Sequence, residues 1–182
     1  MDFQDVMSGV DACIALGVAD PERLGISGLS YGGYLAGWAV TQTDRFGAAV
    51  AMSVVSNYVS FHLTSEVWMY DEMILEGGWN DPTSQYVERS PVTHAHRCRT
   101  PTLVIHGGHD YRVPENNGIE LFNILQNKGI KSRFIHYPDE NHWILSPQNS
   151  IHWNWEVQSW LSRYIGGTPT LVKPVFESVG EK

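Results

Sequence analysis

Gly28-Leu29-Ser30-Tyr31-Gly32-Gly33 is the stretch on which the reading of this chain turns. It fits the pattern G-x-S-x-G. Residues 23–28 form a short apolar run that suits a strand, and Leu35, Trp38, Ala39 and Gln42 follow at a spacing that suits a helix. At such a strand-to-helix turn a serine stands clear of the backbone. The turn is expected to be too tight for side chains two residues either side, which Gly28 and Gly32 remove. The helix start points backbone N–H groups at the serine, and that of Tyr31 is placed to stabilise an oxyanion. Ser30 is thus a candidate nucleophile, weighed against a plainer reading in which a glycine-rich turn merely joins strand to helix.

Working outward, residues 2–17 read as a helix, with Phe3, Val6/Met7, Val10 and Cys13/Ile14 at helical spacing and Gly17 ending the run. Residues 47–53, small and apolar with β-branched Val50, suit a strand buried on both faces. Residues 54–98 are irregular and read as an insertion over the sheet, with a helix at roughly 60–75, a Gly-Gly-Trp-Asn-Asp-Pro turn and a Ser90-Pro91 break. Residues 101–107 form a strong buried-strand pattern. Pro114 opens a helix to about Lys128, closed by Gly129. Residues 132–137 are another strand, and Ser146-Pro147 starts a last helix ended by Gly166-Gly167-Thr168-Pro169. In that helix Trp153, Trp155 and Trp160 could line a pocket, although helical spacing of apolar positions favours the core. Strands alternating with helices predict an α/β fold: a mostly parallel sheet of about four strands, flanked by helices on both faces, with the strand C-termini along one rim.

An unactivated serine hydroxyl is a poor nucleophile and needs a base, itself oriented by an acid. Asp110 fits the acid: it lies just past the strongest strand, in His106-Gly107-Gly108-His109-Asp110. Asp81 falls in the insertion, and Asp139 is too near the base candidate in sequence. His142 fits the base, following the strand that ends at Tyr137. His136 and His106 lie within or at the end of strands, and His62, His94 and His96 lie in the insertion. The order serine, acid, base, with each residue at a strand C-terminus, is the one this architecture uses.

Composition narrows the function classes. Hydrophobic residues make up 42% of 182, a globular proportion, and the net charge is -8 with 12 Lys+Arg and no densely basic stretch. Nucleic acid and anionic membrane surfaces are therefore not expected partners. No apolar run approaches the ~20 residues of a membrane span, and residues 1–5 do not begin a signal peptide, so a cytoplasmic location is expected. Cys13 and Cys98 read as reduced, buried thiols. His94-Ala95-His96 and His106-x-x-His109-Asp110 match no recognised zinc spacing, so neither a metal nor a cofactor is expected.

Three segments together resemble the prolyl oligopeptidase family of serine peptidases, in its acylaminoacyl-peptidase and dipeptidyl-peptidase branch. They are Gly-Leu-Ser-Tyr-Gly-Gly-Tyr at 28–34, Thr-Pro-Thr-Leu-Val-Ile-His-Gly at 100–107 with Asp110, Arg112, Val113 and Pro114, and Tyr-Pro-Asp-Glu-Asn-His at 137–142. Ser90-Pro91 agrees with them, and the likeness runs over about residues 2–165. It implies a partial α/β-hydrolase fold, with residues 1–165 as catalytic domain; residues 166–182, polar beyond the break, are expected to be a mobile tail. It also implies peptide hydrolysis through Ser30, His142 and Asp110 by way of an acyl-enzyme. Members of that family carry a β-propeller and several strands ahead of the nucleophile strand, so the chain is expected to be the C-terminal part of a catalytic domain. The nucleophile strand would then be an exposed edge, open to self-association or pairing. The second oxyanion donor, which the family supplies from upstream, would be missing, and weak activity is expected of the isolated chain. A carboxylesterase on the same triad, and an inactive fragment acting as an interaction module, are the alternatives.

Overall fold

In the computed structural model, which describes residues 2–175, four parallel strands lie side by side in the order in which the chain makes them. The elements are α1 (Asp2–Ala15), β1 (Gly25–Leu29), α2 (Tyr31–Gln42), β2 (Ala48–Met52), α3 (Tyr58–Thr64), α4 (Met69–Glu72), α5 (Gln85–Glu88), α6 (Pro91–His94), a 3-10 turn (Ala95–Arg97), β3 (Thr102–Gly107), α7 (Asn116–Asn127), β4 (Ser132–Tyr137) and α8 (Pro147–Ile165). The register runs straight across the sheet: Leu29 opposes Met52, Met52 opposes Ile105, and Ile105 opposes Ile135. All four strands therefore end on one rim.

The alternation of β2 divides the core. Ala49 and Ala51 face a layer built from Ala36 and Val40 of α2 and Leu121 and Leu125 of α7. Ala48, Val50 and Met52 face the other way, with Leu103, Ile105, Ile135 and Trp160 of α8. Helices on both sides explain why all five residues of β2 are buried and why its sequence is uniformly small and apolar. A third cluster, Tyr34, Val55, Tyr58, Phe61, Tyr86 and Val113, caps the strand C-termini.

Several details correct the sequence reading. The helix expected over 60–75 is two helices, α3 and α4, separated by residues 65–68. The short helices within residues 54–98 carry little period of their own, and the last of them, α6 and the 3-10 turn, pack beside α2 and α7 rather than over the rim. Cys98 is buried, but Cys13 is exposed: α1 half-buries Phe3, Val6, Met7, Val10 and Ile14, and Cys13 falls just outside that stripe. Of the last helix, Trp160 is buried in the core, while Trp153 also borders a cavity beside His142. Of the expected mobile tail, residues 176–182 lie outside the described residues. Within the described part, Gln158 Oε1 accepts the N–H groups of Thr170 (2.8 Å) and Leu171 (3.4 Å). No helix among the described residues is long and apolar enough to cross a membrane.

Candidate active site

Ser30 occupies the single residue between β1 and α2, at φ 62° and ψ -119°. This is the left-handed half of backbone space, which a non-glycine residue enters only when its surroundings force it. The forcing is visible. The Ser30 N–H donates to the Met52 carbonyl (3.0 Å), and the Ser30 carbonyl accepts the Tyr34 N–H (2.8 Å) to start α2. A side chain at Gly28 would run into the backbone of Gly32, and one at Gly33 into the Met52 carbonyl. Space at Gly32 is open, so the close approach falls at Gly28 and Gly33 rather than at Gly28 and Gly32. Tyr31 is the first residue of α2, and its N–H belongs to the turn of donors that a helix leaves without internal acceptors.

Asp110 lies three residues past β3 and is 3% exposed. Its Oδ1 accepts the N–H groups of Arg112 (3.1 Å) and Val113 (2.9 Å), and its Oδ2 lies 2.9 Å from His142 Nδ1. Burial alone would raise this carboxyl. The bonds from His142 and from the Val113 N–H outweigh it and hold the group below its usual range, so it is ionised at neutral pH. An ionised acceptor assigns the proton of His142 to Nδ1 and leaves Nε2 with its lone pair. His142 is itself buried, with Trp143 edge-on to its ring at 5.3 Å between centroids.

Asp110 and His142 meet directly, whereas Ser30 is linked to them through the end of β2 and not by a side-chain hydrogen bond to His142. Met52, which accepts the Ser30 N–H, is followed by Ser53, whose hydroxyl lies 3.5 Å from the His142 carbonyl. His142 in turn reaches Asp110. Ser53 is buried at φ 42°, another non-glycine residue in the left-handed region at a strand end on this rim. The loop bearing His142 is held by Glu140, 3% exposed, which accepts from Leu145 N–H (3.0 Å), Ser146 N–H (3.0 Å) and Asn149 Nδ2 (2.8 Å). Burial works against that carboxylate, but these donors at the start of α8 bring its pKa down to about 2.

Beside Ser30 opens a cavity of about 420 Å3 whose walls are Val55, Tyr58, Phe61, Val67, Tyr70 and Val113, with Arg112 at the rim. It is built largely by the insertion. His62 Nδ1 lies 3.0 Å from Asp71 Oδ2, tying α3 to α4, whose neighbouring side chains form one wall. Sequence reasoning missed these wall residues, along with Ser53 and Glu140. Ser53 carried a signal in its position at the end of β2, and Arg112, Val113 and Glu140 stood inside the segments quoted for the family resemblance without being given a role. Of the histidines weighed and set aside as metal ligands, His94 and His96 are turned to backbone carbonyls and His106 to that of Val113. Among the described residues, no three His, Cys, Asp or Glu side chains are grouped so as to hold a metal ion.

The chain matches the profile of the prolyl oligopeptidase family over residues 1–168. It is 37% identical over 143 residues to the uncharacterized peptidase YuxL of Bacillus subtilis, an alignment covering 78% of this chain and 22% of that protein. It is 36% identical over 166 residues to dipeptidyl-peptidase 5 of Schizosaccharomyces pombe, covering 89% and 24%. Among solved structures, Pyrococcus horikoshii acylaminoacyl peptidase superposes with a TM-score of 0.85 at 25% identity, over 94% of this chain and 29% of that one. A puromycin-hydrolyzing peptidase of Mycobacterium tuberculosis gives 0.84 at 27%, over 96% and 27%. The chain thus spans about a quarter of the length of the relatives it matches.

Proposed function

Because this chain belongs to the prolyl oligopeptidase family, we propose that it carries the hydrolytic centre of a serine peptidase, with Ser30 as nucleophile, His142 as general base and Asp110 as orienting acid. The observation that carries the reading is the 2.9 Å contact between His142 Nδ1 and an Asp110 carboxylate whose other oxygen is already filled by two backbone donors.

In this reaction His142 Nε2 takes the Ser30 proton as Oγ attacks the peptide carbonyl carbon. The negative charge on the carbonyl oxygen is met by the Tyr31 N–H. The C–N bond then breaks, and the imidazolium gives its proton to the departing amine. Asp110 steadies the charged ring throughout without taking the proton. Water, deprotonated by the same imidazole, cleaves the acyl–serine ester and regenerates the hydroxyl. The apolar cavity beside Ser30 suits one uncharged side chain on the acyl side of the scissile bond. The dipeptidyl-peptidase and acylaminoacyl peptidase relatives agree with short peptides as substrates.

A fluorophosphonate probe tests the reading. Labelling should map to Ser30 and vanish in Ser30→Ala and His142→Ala. Matched ester and amide substrates then separate peptidase from esterase chemistry. A folded chain whose Ser30 stays inert would instead favour an interaction module.

A further inference from the structure

The Asp110 carboxylate has a second imidazole behind it. His106, on β3, is 1% exposed, and its Nε2 lies 2.7 Å from the Val113 carbonyl. A carbonyl only accepts, so Nε2 carries the proton and Nδ1 the lone pair. Burial holds this ring below its usual pKa, which keeps it neutral. The same Nε2 stands 3.6 Å from Asp110 Oδ2, the oxygen that meets His142. Val113 is thereby gripped at both ends: its N–H by Asp110 Oδ1 and its carbonyl by His106.

Packing does not explain an imidazole here. Its Nδ1 is buried without a hydrogen-bond partner, close enough to Gly118 of α7 that a side chain there would come within 2.6 Å of it. A leucine would bury no unpartnered ring nitrogen, but it would leave the Val113 carbonyl without its donor. What leucine lacks is the Nε2–H.

We propose that His106 is a positioning residue. Through the Val113 carbonyl it fixes the turn over residues 110–113, so that Asp110 Oδ2 stays aimed at His142. Its N–H also places a partial positive charge beside that oxygen. Since Val113 also walls the cavity next to Ser30, one hydrogen bond sets both the acid and part of the substrate pocket. The proposal rests on the Ser30–His142–Asp110 reading. The ionisable groups acting on the His106 ring are Asp110, Glu115 at the start of α7 and His142. Glu115 is itself paired with His136 of β4 at 2.7 Å.

The test compares His106→Leu and His106→Gln in the full chain. It follows the rate of fluorophosphonate labelling at Ser30 from pH 5 to 9 and the urea midpoint. A glutamine amide can occupy the place of Nε2 and donate to Val113 without titrating. His106→Leu should slow labelling about 10- to 100-fold, the scale of a small misplacement at a reacting centre, and shift the pH profile. His106→Gln should recover most of the rate and the wild-type profile. Should the leucine variant fail to fold, His106→Asn, too short to reach Val113, should behave as leucine was expected to. Leucine at the wild-type rate, or glutamine as slow as leucine, overturns the role of His106 and leaves the triad standing. Wild-type protein that labels nowhere, or that labels equally in His142→Ala, sinks the triad and this role with it.

Discussion

Glu140 accepts the backbone N–H of Ser146 at 3.0 Å, closing a loop whose span includes His142. The carboxylate therefore does two jobs, satisfying donors at the start of α8 and fixing the path of the chain through residues 141–145. Its pKa, lowered to about 2 from 4.5, sets the pH behaviour. Because the folded value lies below the unfolded one, the contribution to stability is complete above about pH 4.5 and disappears as the pH falls towards 2. Glu140→Gln should cost about 1.5–3 kcal/mol at pH 7, the range for hydrogen bonds to a charged group. The gap between the two proteins' urea midpoints should close by pH 2–3. A gap that does not vary with pH would remove the charge from the explanation.

Gly28→Ala and Gly32→Ala form a pair of opposite expectations. At residue 28 the new carbon meets the Gly32 backbone, which cannot yield without breaking the turn that holds Ser30. A loss of at least about 1–3 kcal/mol is expected there, with labelling of Ser30 abolished. At residue 32 nothing lies within 4 Å, and alanine should leave stability unchanged or raise it by up to about 1 kcal/mol. Thermal unfolding of both variants measures this, and equal destabilisation would contradict it.

Asp110→Asn should keep the shape and lose the charge that fixes the His142 tautomer. Labelling at Ser30 is expected to fall by about 10³–10⁴-fold, the scale seen when a triad carboxylate is neutralised elsewhere. A loss under tenfold would mean that Asp110 is not the orienting acid.

Val67→Phe narrows the cavity beside Ser30 from a half-buried position on its wall. Phosphonate probes carrying a benzyl side chain should slow by tenfold or more relative to methyl analogues, the discrimination that one misfitted apolar group gives. Equal slowing of both probes would place the acyl-side group elsewhere.

β1 is hydrogen-bonded to β2 on one side and to no strand on the other among the described residues. This free edge is expected to pair with a second copy, so the light-scattering mass should rise with concentration. Ser27 is exposed on that strand, and Ser27→Lys should return the chain towards the monomer. A mass that stays monomeric in both proteins would remove the edge as an interaction surface.

The serine, acid and base candidates were legible because each depends on local pattern plus chain order: an apolar strand, a turn, and the right residue type just after it. β2 and β3 were legible for the same reason, since burial on both faces leaves largely apolar runs, Ala48–Met52 and Thr102–Gly107, whereas the outer strands β1 and β4 are only partly buried and were read from shorter apolar patterns. The insertion was not, because four-residue helices such as Met69–Glu72 show barely one turn of any period. Gly33 was overlooked because its constraint comes from Met52, a residue of another strand. Glu140 sat inside a recognised motif, yet its task depends on where α8 begins. Cys13 shows the limit of periodicity: spacing gave the stripe's direction but not how far around the helix burial extends.

Because every strand runs the same way, the turns feeding their starting ends gather on the side of the molecule away from Ser30. Lys128 and Lys131, both exposed, stand in one of those turns, while the serine, cavity, acid and histidine loops contain no lysine. Coupling confined to Lys128 and Lys131 would therefore hold the protein from behind, with the face bearing Ser30 turned outward to the bulk solution; Lys173, beside Trp155 of α8, and Lys182 are the other two lysines.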